Sequence, residues 1–268
     1  MPTPLEVLLD PISLTAIGIY LALVALEAFV PARPLPEVRG WVARGLIAFV
    51  AFFYLSTYLP LAWDASLAPF QLLDLTSLGT VAGAAVGVLV YELAVYWWHR
   101  AMHRFTPLWR VFHQMHHSAE RLDTYGAFWF SPMDMIGWTA LGSFALVIVV
   151  GLTPTAATAT ILITFFLGVF QHTNVRTPQW LGFFVQRPES HSVHHERGLH
   201  YYNFSDLPVW DLIFGTFRNP KAFSPQQGFY EGASGRILEM IAFADVSQPP
   251  GEAADATLRG RNTQRGAL

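Results

Sequence analysis

Five stretches of this 268-residue chain are almost free of charge, and polar intervals separate them. Ile12–Val30 is apolar apart from Glu27, Gly45–Trp63 carries no charge, and Gly79–Trp98 carries only Glu92. Each approaches the roughly 20 residues that a helix needs to cross the hydrocarbon of a bilayer. Met135–Leu152 and Thr155–Gln171 are also uncharged, slightly short, and meet at Thr153-Pro154. That junction predicts a tight helical hairpin whose legs either span fully or dip in and return. The pattern reads as an all-α integral membrane helical bundle, three spans plus a helical hairpin, in one domain covering residues 1–246. From about Ser247 to Leu268 the chain is polar and rich in Gly, Ala and Pro, which predicts a disordered tail. No internal repeat with a usable period is visible.

Composition supports the membrane reading. Hydrophobic residues make up 53% and charged residues 13%, with mean hydropathy +0.35. Soluble domains carry about 25% charged residues, so an ordinary soluble enzyme and a disordered protein are both excluded. A net charge of −3 leaves no footprint for nucleic acid. The absence of cysteine excludes disulfides, Fe–S clusters and thiolate zinc sites. All 15 Arg and the single Lys fall in residues 32–44, 99–134 and 172–268. With those segments cytoplasmic the spans alternate consistently, N-terminus out and C-terminus in. The start MPTPLEVLLD lacks a basic leader, so the first apolar run is expected to stay as an anchor. The Arg-rich, Lys-poor composition points to a bacterial inner membrane.

The chain has ten histidines, all between His99 and His200. His99 and His103 form H-x3-H, His113, His116 and His117 form H-x2-H-H, and His191, His194 and His195 repeat H-x2-H-H. His172 and His200 stand alone. Residues three and four apart share a helix face, so each set is expected to point at one centre. Neutral imidazole suits iron, zinc, copper and nickel, and nine or ten converging rings imply two metal ions, or one ion with outer histidines. Packed without a metal, such rings would repel when protonated and cost desolvation when neutral. The clusters sit where the third span emerges and where the hairpin returns, which predicts a histidine-rich helical cap on the cytoplasmic face.

These motifs resemble the fatty acid hydroxylase/sterol desaturase superfamily. The likeness runs from Val81 to Asn219 and includes Glu92-x3-Tyr96-Trp97-Trp98-His99-Arg100, Asn203-Phe204, and Trp210-Asp211-x2-Phe214-Gly215-Thr216. The resemblance implies an oxygen-dependent di-iron enzyme that hydroxylates or desaturates an unactivated C–H bond of a lipid. It would use two iron ions, O2 as co-substrate and two electrons from an external donor. The implied ligands are His99, His103, His113, His116, His117, His172, His191, His194 and His195, with His200 where the family varies. Ser131-Pro132-Met133-Asp134 departs from the family's H-P-[LM]-E, and Ser205 replaces a glycine.

Several roles remain open from sequence. Glu92, seven residues before His99, is expected to accept from a ligand imidazole or to pair with an arginine from another helix. Glu27 is expected to snorkel to water. Asp211 would orient a histidine or cap a turn, and Asn203 is a further candidate beside the metal. Arg100, Arg104 and Arg110 would obey the positive-inside bias, meet phospholipid headgroups, or receive an acidic partner. No dinucleotide motif follows a plausible strand, so electrons are expected from a separate reductase, cytochrome or ferredoxin. The substrate is expected to be a membrane lipid. Other functions consistent with parts of the pattern are an alkyl-ether lipid monooxygenase, a metal-ion transporter, and a scaffold without chemistry.

Overall fold

A computed structural model describes residues 1–250. Residues 251–268, most of the expected tail, lie outside the described residues. A Thr3 capping box with Glu6 opens the short α1 (Pro4–Leu9), and Asp10 caps α2 (Pro11–Phe29) through Ile12 N–H, with Pro11 in the first turn. α3 (Trp41–Leu67) contains Pro60. α4 (Gly79–Arg104) runs six residues past the expected end at Trp98, which carries His99 and His103 on regular helix.

A crowded connection follows: α5 (Thr106–Leu108), a π-turn over Trp109–His113, and α6 (Gln114–His117). Ser131 caps α7 (Pro132–Ser143), which continues through a π-turn over Phe144–Val149. Together they give an 18-residue apolar helix, so the first hairpin leg is long enough to cross. Thr153 and Pro154 start α8 (Pro154–Phe170), the short second leg at 17 residues. The described residues thus hold four helices long and apolar enough to cross a membrane, plus one shorter apolar helix. The expected hairpin is present. Small helices α9 (Pro188–His194), α10 (Pro208–Phe214) and α11 (Ile237–Ile241) complete the cap.

Both ends of the bundle are tied. At one end a two-residue parallel pairing joins β1 (Leu73–Asp74) to β2 (Val150–Gly151), and Thr80 and Thr155 hydroxyls lie 3.0 Å apart. At the other, Ala32 N–H donates to the Asn174 carbonyl at 2.7 Å and the Trp41 indole donates to Asp123 at 2.9 Å. Among the described residues, the second end receives the basic segments and every histidine. Glu27 does not snorkel: its carboxylate accepts from Thr124 N–H, the Thr124 hydroxyl and Asn174 N–H. Three donors within reach outcompete water for that carboxylate, so it ties α2 to the cap.

Between the ends the core is aromatic, with Tyr20 stacked on Phe49 at 4.1 Å and Phe52 on Phe128 at 5.1 Å. Large apolar side chains such as Ile47, Val81 and Ile161 point outward, as lipid contact requires.

Candidate metal centre

α4 supplies the first two histidines, and its approach to α8 sets where they meet the rest. Gly83 and Gly87 face Ala156 and Thr160, and a Cβ at Gly83 would lie 3.0 Å from the Ala156 methyl. Small residues let helix backbones close in the membrane, and this contact brings the end of α4 to His172, just beyond α8.

Nine histidines collect in two groups. Ligand atoms of His99, His103, His113, His117 and His194 lie within 4.8 Å of one another, as do those of His116, His172, His191 and His195. The expectation that each H-x2-H-H set serves one centre is corrected. His113 and His117 enter the first group while His116 enters the second; His191 and His195 enter the second while His194 enters the first. On a helix of 3.6 residues per turn, positions i+3 and i+4 flank position i about 100° apart. Short helices between two centres therefore serve both. The π-turn ending at His113 delivers that ring from a widened turn, a feature frequent at functional sites. His200 joins neither group. Its Nδ1 faces His117 Nδ1 at 3.0 Å, where it can accept that ring's N–H, and its backbone is left-handed with φ 42°.

Three rings have their tautomer set by carbonyls, which can only accept. Nδ1 of His99 donates to Phe204 at 2.7 Å, that of His172 to Gly168 at 2.6 Å, and that of His194 to Tyr202 at 2.7 Å. Their Nε2 lone pairs therefore point inward. His99 Nε2 is 2.8 Å from His113 Nε2, His194 Nε2 is 3.0 Å from His117 Nε2, and His172 Nε2 is 3.1 Å from His116 Nε2 and 3.0 Å from His191 Nε2. His103 Nε2 and the Nδ1 atoms of His113, His116 and His191 are buried without a hydrogen-bond partner. Burial pushes the imidazoles of His113, His116, His117, His191, His194 and His195 well below the ordinary histidine range, and those of His172 and His200 to about 4. Neutral, inward-facing, all-nitrogen donors in sets of five and four fit two divalent transition-metal ions.

The supporting residues act through the backbone. Glu92 touches neither a histidine nor an arginine. Its Oε2 accepts from the Ser205 hydroxyl and from Asp206 N–H, both at 2.9 Å. Asp211 touches no histidine; it caps a turn, accepting from Phe204 N–H at 2.9 Å, Ser205 N–H at 3.0 Å and the Thr216 hydroxyl at 2.6 Å. Asn203, left-handed at φ 58°, donates to the Ser190 and Arg218 carbonyls and accepts from Arg218 N–H. These three residues hold the 203–206 turn, whose Phe204 carbonyl sets His99. The sequence showed polar residues near the clusters but not that they act through the backbone, because the link closes only in the fold.

The carboxylate that does face a histidine is Asp134. It is fully buried at the start of α7, with Oδ2 3.5 Å from His113 Nδ1. Sequence marked it only as a departure from the family pattern; its place three residues after the capping Ser131 was the available signal. Arg187 went unremarked. Although 1% exposed, it pairs with Glu189 at 3.0 Å and donates to Asn219 and Thr177, fixing the start of α9. Arg100 donates to the Tyr96 hydroxyl and Arg110 to the Phe243 carbonyl, so both have structural partners in the chain. Arg104 is exposed.

A cavity of about 320 Å³ opens from the histidines between α3, α4, α7 and α8. Phe52, Phe128, Phe165 and Leu146 line it, and His99, His113, His116, His172 and His191 form its polar end. It is an apolar slot with imidazoles at one end.

Residues 84–216 match the fatty acid hydroxylase family. The chain is 33% identical over 169 residues to an ornithine lipid hydroxylase, OlsE, of Rhizobium tropici, covering 61% of this chain and 49% of that protein. It is 27% identical over 151 residues to a Delta(7)-sterol-C5(6)-desaturase of Nicotiana tabacum, covering 55% and 54%. Against the sphingolipid C4-hydroxylase sur2 of Schizosaccharomyces pombe the figures are 26% over 136 residues, 49% and 46%. The chain spans about half the length of these relatives. No solved structure matches it.

Proposed function

We propose that this multi-pass membrane chain, whose residues 84–216 match the fatty acid hydroxylase family, is an O2-dependent di-iron lipid hydroxylase or desaturase. The observation that carries the reading is the pair of buried imidazole groups closing one end of an apolar cavity. His99, His103, His113, His117 and His194 would hold one iron and His116, His172, His191 and His195 the other. Bound there, the metal pair would supply the redox chemistry that oxidises an unactivated C–H bond with O2 and two electrons from a separate protein.

The chain's own residues do the positioning. Carbonyls of Phe204, Gly168 and Tyr202 fix ring tautomers, and Asp134 faces His113. Phe52, Phe128 and Phe165 shape a slot for an alkyl chain and keep water from its apolar wall. The lysine and arginine distribution supports a histidine end on the cytoplasmic side, and the Arg-rich, Lys-poor composition supports a bacterial inner membrane; a soluble or membrane-bound electron donor would reach the site from that side.

The test is elemental analysis of detergent-purified chain beside His116→Ala, paired with lipid mass spectrometry of cells expressing each. We expect iron in both sites of the wild type, reduced loading in the variant, and lipids that have gained one oxygen or lost two hydrogens only with the wild type. Protein that binds no metal after careful loading would overturn the reading.

A further inference from the structure

Besides its histidines, the apolar cavity carries a polar patch close to the metal-competent end. Gln171 and Asp206 stand side by side on its wall, next to His172, with Gln171 Nε2 donating to Asp206 Oδ1 at 2.6 Å. Glu92 lies directly behind them and accepts Asp206 N–H. This cluster has more acceptors than donors. Gln171 is 5% exposed, yet its Oε1 has no partner, and Glu92 Oε1 is also buried and unpaired. A buried acceptor without a donor is destabilising, so the surplus marks a place for a donor that arrives with a ligand.

Room for that donor exists. Gly168 also lines the cavity, and a Cβ there would come within 3.3 Å of Asp206 Oδ2. Three hydroxyls elsewhere on the wall are already used: Ser56 donates to Phe53, Thr139 to Met135 and Thr164 to Thr160. The other orphaned acceptor on the wall is Asp64 Oδ1. It lies twelve residues, roughly 18 Å of helix rise, beyond Phe52, whose ring meets Phe130 beside His116.

We propose that Gln171 and Asp206 form a subsite for a hydrogen-bond donor on the substrate, a hydroxyl, amine or amide N–H, held beside the histidines while the alkyl chain fills the apolar slot. This deepens the proposed function by naming the substrate class of the same cavity: an amphiphile with a donor close to the carbon that is oxidised, not a plain hydrocarbon or an ester without a donor.

Binding tests it without turnover or metal. The purified full chain in detergent is titrated with hexadecanol, hexadecylamine, N-hexadecylacetamide and, as the chain-matched control without a donor, methoxyhexadecane, and the thermal stabilisation is followed against mole fraction in the micelle. At least one donor probe is expected to reach half-effect at about a tenfold lower mole fraction than the ether, and the three donors identify which group is taken. Gln171→Met, which removes the orphaned acceptor, and Asp206→Asn, which sets a donor where Oδ2 was, are expected to bring the ratio towards one; either suffices if the other fails to fold. Asp64→Asn is expected to keep it. Equal response to all four probes, a preference that survives in Gln171→Met and Asp206→Asn, or one lost only in Asp64→Asn overturns the subsite. A chain that loads no metal but prefers donors leaves the subsite standing and sinks only the catalytic reading.

Discussion

A single carbonyl shows how this site is controlled at the residue scale. Phe204 O sets the tautomer of His99, and Asp211 sets Phe204 by accepting its N–H. The Thr216 hydroxyl donates to Asp211, and the Tyr96 hydroxyl lies 3.2 Å from Thr216 Oγ1. Removing such an outer support typically costs 10–100-fold in metal affinity. Asp211→Ala is therefore expected to weaken retention by roughly that factor in a chelator competition, while Asp211→Asn, which keeps one acceptor, loses less. Protonation gives a second test. The folded pKa of His172 and of His200 lies near 4, below the ordinary 6.5, because both rings are buried. Between those values the unfolded chain binds protons that the folded chain does not, so stability falls as pH falls through that window. The metal-free chain should lose apparent Tm steadily from pH 7 to pH 5. A flat profile would contradict the buried, neutral state of these rings.

At the scale of elements, two local irregularities place the ligands. The π-turn at Trp109–His113 turns His113 towards the α4 rings, and the following α6 divides His116 from His117 between the two groups. Spacing alone showed that these rings share a helical region; which centre each serves depends on what packs on either side. The α4–α8 contact is the other device. At Gly87 a side chain would run into Thr160 and Leu152, and overpacking of this kind costs roughly 1–3 kcal/mol. Gly87→Val should separate the helices, lower apparent Tm and reduce metal content, since α4 carries His99 and α8 leads to His172. Gly18→Ala, where a Cβ meets nothing within 4 Å, should change neither.

For the whole molecule, hydrophobic spans and basic segments define the topology. The chain has no cysteine, so single introduced cysteines report orientation cleanly. Ser77→Cys, in the loop before α4, should react with an impermeant maleimide from outside intact spheroplasts; Lys221→Cys should react only after permeabilisation. The reverse pattern would invert the proposed orientation. Apolar runs determined the membrane class, the hairpin at Thr153-Pro154 and the number of segments, because desolvation in a bilayer acts on each residue almost independently of its distant neighbours. Histidine spacing likewise marked a metal-competent region. Only the tertiary structure divided the rings five and four, turned Glu92 from the histidines to the 205–206 turn, gave His113 its carboxylate from Asp134 and left Gln171 unpaired on the cavity wall. Those outcomes depend on directed contacts of a few ångströms between residues far apart in the chain, such as the 113 positions between Glu92 and Ser205. Hydropathy and spacing describe neighbours in sequence, and such contacts exist only once the helices have packed.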